Sequence, residues 1–350
     1  MTVLRAVLVG CGGMGNNWAG ILGPRPDIDI VGLVDVVPAA SAALADRNGM
    51  DVPRFGSLDD ALRSLDADVV LDTSIPETRR RIAGAAMEAG CHVLSEKPFA
   101  TSVEEAQELL AIAGRTGKTH AVMQNRRYLA GTQGMRQLVA DGVIGEVGMV
   151  CSDFFLGAHF GGFRDHMANV LLLDMAIHTF DQARFMTGSD AVTAWCDEFN
   201  LPGSWYQGNA SALAVFEMTD GSRYCYRGSW SAQGAATTWE AEWRISGSLG
   251  TAIWDGRSAP YAEVVAGTEG FVRPTKRIET TVAWNGPSGH AGCLDEMVRA
   301  LVNGERPLTH SGDNAKSLGM VLAAIESGSA GEKVPLRLVG TGDHKGRPYG

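Results

Sequence analysis

The 350-residue sequence contains no apolar run of the ~18 residues that a membrane-spanning helix needs. Its first ten residues, Met1 to Gly10, form a strand-like run without the layout of a signal peptide. The six cysteines are far apart, with no CxxC pair and no cluster of cysteine and histidine. Zinc sites, iron–sulfur centres and a disulfide framework are therefore not expected. We predict no metal site, reduced thiols and a cytoplasmic protein without a membrane partner.

Basic residues are fewer than acidic ones: the chain has 30 lysines and arginines and 40 aspartates and glutamates, which gives a formal net charge of -10. Proteins that bind nucleic acids carry basic patches or stripes, so we expect no nucleic-acid partner. Hydrophobic residues make up 45% of the chain, a typical share for a folded protein. At ~150 residues per domain, the length favours two domains.

The first third of the chain alternates short apolar runs, typical of buried strands, with runs typical of helices. This alternation predicts a parallel, doubly wound sheet connected by right-handed helical crossovers. We therefore predict an α/β domain over residues 1–124. Its strands are expected at Leu4–Val9, Ile30–Val34, Asp68–Asp72, His92–Ser95 and Thr119–Gln124, and its helices at Gly13–Leu22, Leu58–Leu65, Arg80–Ala89 and from about Thr101 to Arg115.

The pattern changes after about Asn125, where strand-like runs follow one another along the chain. Asp220-Gly221 lies between two of these runs and is a strong hairpin signal. Residues 125–350 are therefore predicted to form an α+β domain with a large, mostly antiparallel open sheet. Its helices are expected at Thr132–Ala140, Asn169–Met186, Ala291–Val302 and Asn314–Glu326, and its strands at Val147–Phe155, Ala191–Phe199, Ala210–Met218, Ser222–Trp230, Trp239–Ile245 and Thr251–Trp254.

A glycine-rich segment follows the first predicted strand and opens the first predicted helix. Its sequence, Gly10-Cys11-Gly12-Gly13-Met14-Gly15, matches the G-x-G-x-x-G arrangement of dinucleotide-binding loops. In such loops the first glycine permits a tight turn, the second lets the backbone approach a pyrophosphate, and the third allows close packing of helix on strand. We therefore predict a Rossmann domain with cofactor contacts at Gly10, Gly12, Gly13, Met14 and Gly15.

Asp35 follows the second apolar strand, twenty residues after Gly15. An acid at this distance binds the ribose hydroxyls of the adenosine, and its charge repels a 2′-phosphate. Val36 and Val37 supply no arginine for such a phosphate. NAD is therefore predicted in preference to NADP, with Asp35 and Val36 as cofactor contacts.

Lys97, in the segment Glu96-Lys97-Pro98, lies at the carboxyl end of a predicted parallel strand, where such sheets place ligands. The following proline keeps Lys97 extended, and a cis bond would aim its side chain sharply. A Lys-Pro dipeptide by itself is common, however, and fits an ordinary turn equally well.

Three segments in order, Val9 to Gly15, Ala89 to Pro98 and Leu173 to Asp181, resemble the glucose–fructose oxidoreductase / inositol dehydrogenase / MocA (Gfo/Idh/MocA) family. Ile144 to Val147 and Ala323 to Leu336 are similar to the family as well, so the resemblance spans nearly the whole chain. It implies a Rossmann domain followed by an α+β domain whose open sheet serves oligomerisation, here as a homodimer or homotetramer. It also implies hydride transfer between a nicotinamide cofactor and a sugar, cyclitol or related polyol.

The chain departs from the family at one place. Where the family often has a histidine at the next helix start, Thr73-Ser74-Ile75-Pro76 is followed here by Arg79-Arg80-Arg81. The further cofactor contacts that the resemblance implies are Thr73, Ser74, Ile75, Pro76, Glu96, Lys97 and Asn125.

Asp174 and His178 are four residues apart in the longest predicted helix, so both are expected on one face, about 5–6 Å apart at Cβ. Asp181 continues that face. A carboxylate one turn from an imidazole can select its tautomer and orient it as a general base, although a solvated or core His–Asp pair is the alternative. Combined with the resemblance, this predicts three catalytic residues: His178 removes the hydroxyl proton, Lys97 hydrogen-bonds the same oxygen, and Asp174 orients and balances these cations.

Two polar segments are candidates for binding the substrate. Family members often use the loop that corresponds to Asn125-Arg126-Arg127-Tyr128, and the loop from His159 to His166 can hydrogen-bond several hydroxyls, or a carboxylate through Arg164. A solvated loop is the alternative for each, and His290 is a further candidate. Trp239 and Trp243 are expected on one strand face, in a core or a subunit contact. The predicted substrate contacts are Lys97, Arg126, Tyr128, His159, Arg164, Asp165, His166, Asp174 and His178.

The leading hypothesis is an NAD-dependent dehydrogenase of a sugar, cyclitol or sugar derivative. An enzymatic alternative processes a glycoside by transient oxidation of the sugar with tightly bound NAD, and a release assay for NADH would separate the two. A non-catalytic NAD-binding sugar sensor or regulator is the alternative from another class. The presence of Lys97, Asp174 and His178 argues against that alternative.

Overall fold

The computed structural model describes residues 3–281 and 284–338, so the end of the predicted second domain, residues 339–350, lies outside the described residues. The described chain divides into two compact units. The first consists of the residues up to Asn125 together with Pro287–Ala315, and the second of Arg126–Gly286 together with the segment from Lys316. This division differs from the predicted one in that Pro287–Ala315 groups with the first unit.

Six described strands form the sheet of the first unit: β1 (Leu4–Val9), β2 (Ile28–Val34), β3 (Arg54–Phe55), β4 (Val69–Asp72), β5 (His92–Ser95) and β6 (His120–Val122). Their order is β3-β2-β1-β4-β5-β6, and all neighbours pair in parallel. This is the predicted doubly wound fold. The order reverses between β1 and β4, and open α/β sheets bind ligands beyond the carboxyl ends of the strands at such a point.

Helices accompany this sheet: α1 (Gly13–Leu22), α2 (Pro38–Asn48), α3 (Leu58–Ser64), α4 (Pro76–Glu88), α5 (Val103–Thr116) and the later α8 (Gly289–Val302). The sequence prediction omits α2, whose apolar periodicity is weak. Pro38 is its first residue and has a φ suited to that position. Arg25, after α1, forms an ion pair with Asp295 of α8 at 2.6 Å, which helps to explain why this late helix groups with the first unit.

The centre of the first unit is apolar on both faces of the sheet. Ala6, Val7 and Leu8 of β1 have no exposed surface, and neither has Trp18 of α1. Parallel strands covered by helices on both sides are continuous apolar runs for this reason. Burial of this kind is the main driving force that keeps the carboxyl ends of the strands in place.

Nine described strands form the sheet of the second unit: β7 (Val147–Phe155), β8 (Ala191–Phe199), β9 (Ser211–Met218), β10 (Arg223–Ser229), β11 (Glu242–Gly247), β12 (Gly250–Trp254), β13 (Tyr261–Val265), β14 (Thr275–Glu279) and β15 (Val334–Pro335). Their order is β14-β13-β12-β11-β7-β10-β9-β8-β15. Neighbours are antiparallel except β7 and β10, which are parallel. The large, mostly antiparallel sheet is as predicted.

One face of this second sheet is open. Met149 is 46% exposed, Trp195 39%, Leu213 39% and Val215 37%, whereas the residues that directly follow them, Val150, Cys196, Ala214 and Phe216, are buried. The unit also contains α6 (Ala130–Ala140), α7 (Ile177–Thr187) and most of α9 (Ser311–Ala330). The open face therefore exposes several large apolar side chains, as interaction surfaces often do.

In the described ranges, no helix combines the length and the apolar character that crossing a bilayer requires.

Candidate active site

The glycine-rich loop joins β1 to α1 in the first unit, and two of its glycines are required by close contacts. Gly10 has φ +92°, and a Cβ there would lie 2.8 Å from the backbone nitrogen of Ser74. A Cβ on Gly15 would lie 2.1 Å from the carbonyl oxygen of Gly10. At Gly12 and Gly13, by contrast, a Cβ would meet nothing within 4 Å. The loop is thus closed towards the protein and open at the start of α1.

Asp35 follows β2 and is held beside this loop. Its two carboxylate oxygens accept one backbone hydrogen bond each, from Cys11 at 2.7 Å and from Val37 at 2.8 Å. Val36 is 83% exposed. Each carboxylate oxygen keeps lone pairs for further donors, so the acid can accept hydrogen bonds from two neighbouring hydroxyls.

The loop after β4 packs directly against the glycine-rich loop. The hydroxyl of Thr73 donates to the carbonyl of Gly10 at 2.6 Å, and the hydroxyl of Ser74 donates to Asp72 at 2.5 Å. Ile75 is 61% exposed, and Pro76 begins α4. The predicted contacts after β4 and in the glycine-rich loop therefore form one continuous surface.

Lys97 lies on the loop after β5, which is also tied to α1. The indole nitrogen of Trp18 donates to the buried carboxylate of Glu96 at 2.9 Å. The peptide bond between Lys97 and Pro98 is cis.

Asn125, further along the chain, lies with its amide nitrogen 3.3 Å from the imidazole of His290 at the start of α8. We call the ends of β1, β2, β4 and β5, with the loops that follow them, the carboxyl edge.

In the second unit, the predicted α-helix from Asn169 to Met186 is wrong in its first part. Leu171–Ala176 is a π-helix, and regular α-helix begins only at Ile177. Asp174 therefore lies in the π-helix and His178 in the α-helix that follows it, so the backbone between them has a wider turn than the prediction assumed. Single π turns in α-helices occur frequently at functional sites.

Asp174 and Asp181 have different partners in the structure. The carboxylate of Asp174 accepts a hydrogen bond from Arg164 at 2.6 Å, and its side chain is 15% exposed. Asp181 is buried and binds the guanidinium of Arg127 through both oxygens, at 2.7 and 2.6 Å. Asp181 follows His178 by three residues in α7, but this ion pair encloses its carboxylate.

The loop around Arg164 is aromatic as well as polar. The guanidinium of Arg164 lies 5.0 Å from the ring of Phe160 and 4.7 Å from that of Phe163, and His159 stacks on Trp205 at 3.5 Å. Asp165 accepts a hydrogen bond from the backbone of Gln207 through its carbonyl at 2.8 Å, and His166 is exposed. Sequence reasoning missed Trp205, because it is far from this loop along the chain.

Trp239 and Trp243 do not share a strand face, contrary to the prediction. Trp239 precedes β11 and is 44% exposed, whereas Trp243 is 2% exposed within β11. The ring of Trp239 lies 6.1 Å from that of Phe160. It therefore extends the aromatic surface near Arg164 and is not part of the core.

Arg126 and Tyr128 are buried in a short 3₁₀ helix, Asn125–Tyr128, and are not part of a solvated loop. A guanidinium nitrogen of Arg126 lies 3.5 Å from the carboxylate of Glu240, and another lies 3.5 Å from the sulfur of Met175. Met175 directly follows Asp174 in the sequence. Burial lowers the pKa of Arg126, and the charge of Glu240 opposes that change. Glu240 was not among the predicted residues, because it is more than a hundred residues away in sequence.

Comparison with known proteins identifies the chain. Residues 4–124 match the family model described as an oxidoreductase family with an NAD-binding Rossmann fold, and residues 132–253 match the model of the Gfo/Idh/MocA C-terminal domain. Together the two matches cover more than half of the chain. The protein belongs to the Gfo/Idh/MocA oxidoreductase family. Its first unit is an NAD-binding Rossmann domain, as predicted.

Similar proteins cover nearly the full length of this family member. Inositol 2-dehydrogenase of Rhizobium meliloti (strain 1021) is 24% identical over 93% of this chain and 97% of its own. The uncharacterized protein y4oX of Sinorhizobium fredii (strain NBRC 101917 / NGR234) is 25% identical over 95% and 96%. An oxidoreductase from Agrobacterium radiobacter, solved with NAD+, L-tartaric acid and magnesium, has a TM-score of 0.83 at 21% identity over 96% and 99%.

The carboxyl edge of this Gfo/Idh/MocA protein fits the dinucleotide that the family binds. The open space at Gly12 and Gly13 leaves the backbone at the start of α1 accessible, and helix N-termini favour phosphate groups. Asp35 lies beside this opening, and the loops of Thr73 and Lys97 follow the neighbouring strands. A phosphate, a ribose and a reactive ring can thus each meet a polar group suited to them.

Proposed function

We propose that this protein is an NAD-dependent dehydrogenase that transfers a hydride between nicotinamide and a hydroxyl or carbonyl carbon of a sugar, cyclitol or related polyol. The observation that carries the proposal is the bond from Trp18 of α1 to Glu96. This hydrogen bond connects Glu96, the residue before Lys97, to α1, the helix that follows the glycine-rich loop. The similarity to an inositol 2-dehydrogenase supports a cyclitol or sugar as the substrate.

In this proposal, two side chains act on the reacting hydroxyl and a third orients them. The glycine-rich loop and Asp35 would hold the dinucleotide, whose nicotinamide would accept or supply the hydride. Lys97 hydrogen-bonds the reacting oxygen and stabilises the negative charge that develops there. His178 removes the hydroxyl proton as a general base. Asp174, itself held by Arg164, orients these groups and balances their charge.

A screen for NAD reduction tests this function. Monosaccharides, inositols, uronic acids and glycosides are supplied with NAD, and free NADH is measured by its absorbance. We expect at least one class to give NADH steadily over many turnovers. A glycoside converted without release of NADH would instead indicate tightly bound NAD, and binding of NAD without any conversion would indicate a sensor.

Asp35 supports NAD as the preferred cofactor, because its carboxylate would repel a 2′-phosphate beside the glycine-rich loop. Replacing it by Asp35→Ser is expected to lower kcat/KM for NAD roughly tenfold, since hydrogen bonds to a charged group are lost, and to raise kcat/KM for NADP. Asp29→Ser, at an exposed acid on β2, is the control. An unchanged ratio of the two cofactors in Asp35→Ser would contradict the assignment.

The open face of the second sheet supports a homo-oligomer, a dimer or a tetramer. Its apolar side chains, including Trp195 and Val215, are of the kind that subunit contacts bury. Light scattering of the purified protein is expected to give a multiple of the monomer mass. Trp195→Glu is expected to shift the protein towards monomer, whereas Val37→Glu, exposed in the first unit, is not. A wild-type monomer at all concentrations would contradict this part of the proposal.

A further inference from the structure

Arg79 is a buried cation in the run Arg79-Arg80-Arg81. It is 4% exposed and lies in α4. One terminal nitrogen donates to the carbonyl of Pro98 at 2.5 Å, and the other donates to the carbonyl of Ser74 at 2.6 Å. A buried charge is costly unless it is hydrogen-bonded, and here two backbone carbonyls from different loops accept hydrogen bonds from the two terminal nitrogens of Arg79.

These two carbonyls belong to the loops that carry the predicted cofactor and catalytic residues. Pro98 directly follows Lys97, after β5, and Ser74 lies in the loop after β4. Ser74 is in turn packed against Gly10, where a Cβ would approach its backbone nitrogen to 2.8 Å. A single guanidinium therefore connects the segment of Lys97, through Ser74, to the glycine-rich loop.

Asp72 adds a second support for the same arrangement. This carboxylate, at the end of β4, is fully buried and accepts hydrogen bonds from the nitrogen and the hydroxyl of Ser74, at 3.0 and 2.5 Å. Burial raises the pKa of Asp72, and the positive charge of Arg79 opposes that change. Arg79 thus donates a hydrogen bond to the carbonyl of Ser74. Its positive charge also favours the charged form of Asp72, whose carboxylate accepts hydrogen bonds from the nitrogen and the hydroxyl of Ser74.

The two arginines that follow have no such role. Arg80 forms an ion pair with Glu108 on the surface, where the two side chains are 47% and 45% exposed. Arg81 is exposed. Exposed ion pairs contribute little, so Arg80 offers a matched control on the same helix.

We propose that Arg79 is a positioning residue for the dehydrogenase reaction: it fixes the loop of Lys97 relative to the loops that hold the dinucleotide. This inference rests on the proposed function, in which Lys97 binds the reacting oxygen. A guanidinium suits the task because its planar fork can reach two acceptors in fixed directions, which a lysine ammonium cannot reproduce. Displacement of a catalytic group by about 1 Å can cost up to a hundredfold in rate.

The test compares Arg79→Met, Arg79→Lys and Arg80→Met with the wild-type protein. In Arg79→Met we expect kcat to fall roughly ten- to hundredfold, because Lys97 is displaced, and the Kd for NADH to rise. Arg79→Lys is expected to lose less kcat than Arg79→Met. Arg80→Met, the control, is expected to keep the wild-type kcat and Kd. If Arg79→Met does not fold, Arg79→Lys carries the test, and wild-type kcat and Kd in that variant would overturn the proposal.

A double-mutant cycle with Lys97→Ala separates positioning from general stability. If Arg79 acts through Lys97, Arg79→Met has little further effect on kcat in the Lys97→Ala background, because the group it positions is gone. An equal loss of kcat in both backgrounds would overturn the proposal and leave Arg79 with a structural role alone.

Hydrogen exchange in the presence of NADH gives a measurement that needs no substrate. The amides of Lys97 and Phe99 are expected to exchange roughly tenfold faster in Arg79→Met, because the loop opens more often, while those of α5 keep their wild-type rates. Unchanged exchange at Lys97 and Phe99 would overturn the proposal. If the wild-type protein binds NADH but converts no substrate, the proposed function fails, and the exchange rates still decide whether Arg79 holds this loop.

Discussion

The two units present their candidate residues on different kinds of structure. In the first, Gly10, Asp35 and Lys97 follow the ends of parallel strands, and hydrogen bonds, two of them from Arg79, link their loops. In the second, Asp174 lies in a π-helix and is bound by Arg164 from an aromatic loop. The first arrangement follows from a repeating strand–helix topology, whereas the second depends on contacts specific to this chain.

The largest expected effect compares Lys97 of the first unit with His178 of the second, the two residues proposed to act on the reacting hydroxyl. Lys97→Ala and His178→Ala should each lower kcat by ~10²–10⁴-fold, the usual cost of losing an acid–base group. Steady-state kinetics with saturating NAD measures it, and Lys276→Ala on the exposed strand β14 is the control. If only one of the two variants loses activity, the roles assigned to the two units are not equivalent, and near-normal turnover in both would refute the mechanism.

The second unit contains a buried ion pair, between Arg127 and Asp181, whereas the pair between Arg80 and Glu108 in the first unit is exposed. Asp181→Asn removes the buried negative charge that the guanidinium of Arg127 binds, and should lower the free energy of unfolding by about 3–5 kcal/mol. Glu108→Gln removes the exposed partner of Arg80 and should cost less than about 1 kcal/mol. Urea denaturation measures both. Similar losses in the two variants would show that burial does not decide their contributions.

The two units also contain buried groups of opposite pH response. Burial, with a smaller contribution from the charge of Arg79, lowers the pKa of His120 in the first unit to about 3. The unfolded chain takes up this proton near pH 6.5, so stability is lost as the pH falls from there towards 3. Between pH 7 and 5 this loss is about 2 kcal/mol.

Glu198, on β8 of the second unit, behaves in the opposite sense. Burial raises its pKa to about 7, against a hydrogen bond from Asn169 that lowers it. The unfolded chain loses this proton near pH 4.5, so stability is lost as the pH rises from there towards 7. Urea denaturation at a series of pH values measures both effects. His120→Asn should reduce the fall in the free energy of unfolding below pH 6.5, and Glu198→Gln should reduce its fall between pH 4.5 and 7. A profile unchanged by either substitution would contradict the assignment of that group.

The smallest expected effect concerns the support of Asp174. Arg164→Met removes a charged hydrogen bond from a partly exposed pair and should lower kcat/KM roughly tenfold. Arg223→Met, which breaks an exposed pair with Glu217, is the control. Activity of Arg164→Met equal to that of the control would show that the π-helix holds Asp174 without this contact.

Local patterns predicted much of the fold because they report local constraints. The spacing from Gly10 to Gly15 and the apolar runs of β1 and β2 each depend on a few neighbouring residues, and the strand limits of β7 and β8 agree with the prediction. Helix α2 was missed because its apolar period is weak. The π-helix at Leu171–Ala176 was missed because its sequence also suits an α-helix.

The sequence by itself determined the doubly wound sheet, the glycine-rich loop and the acid beside it, since backbone sterics and hydrophobic periodicity act over short distances along the chain. Only the tertiary structure decided the partners of the charged residues: Arg79 with Ser74 and Pro98, and Asp181 with Arg127. A buried charge must find its counterpart among groups that the fold brings near. Sequence spacing alone does not say which of them it will meet.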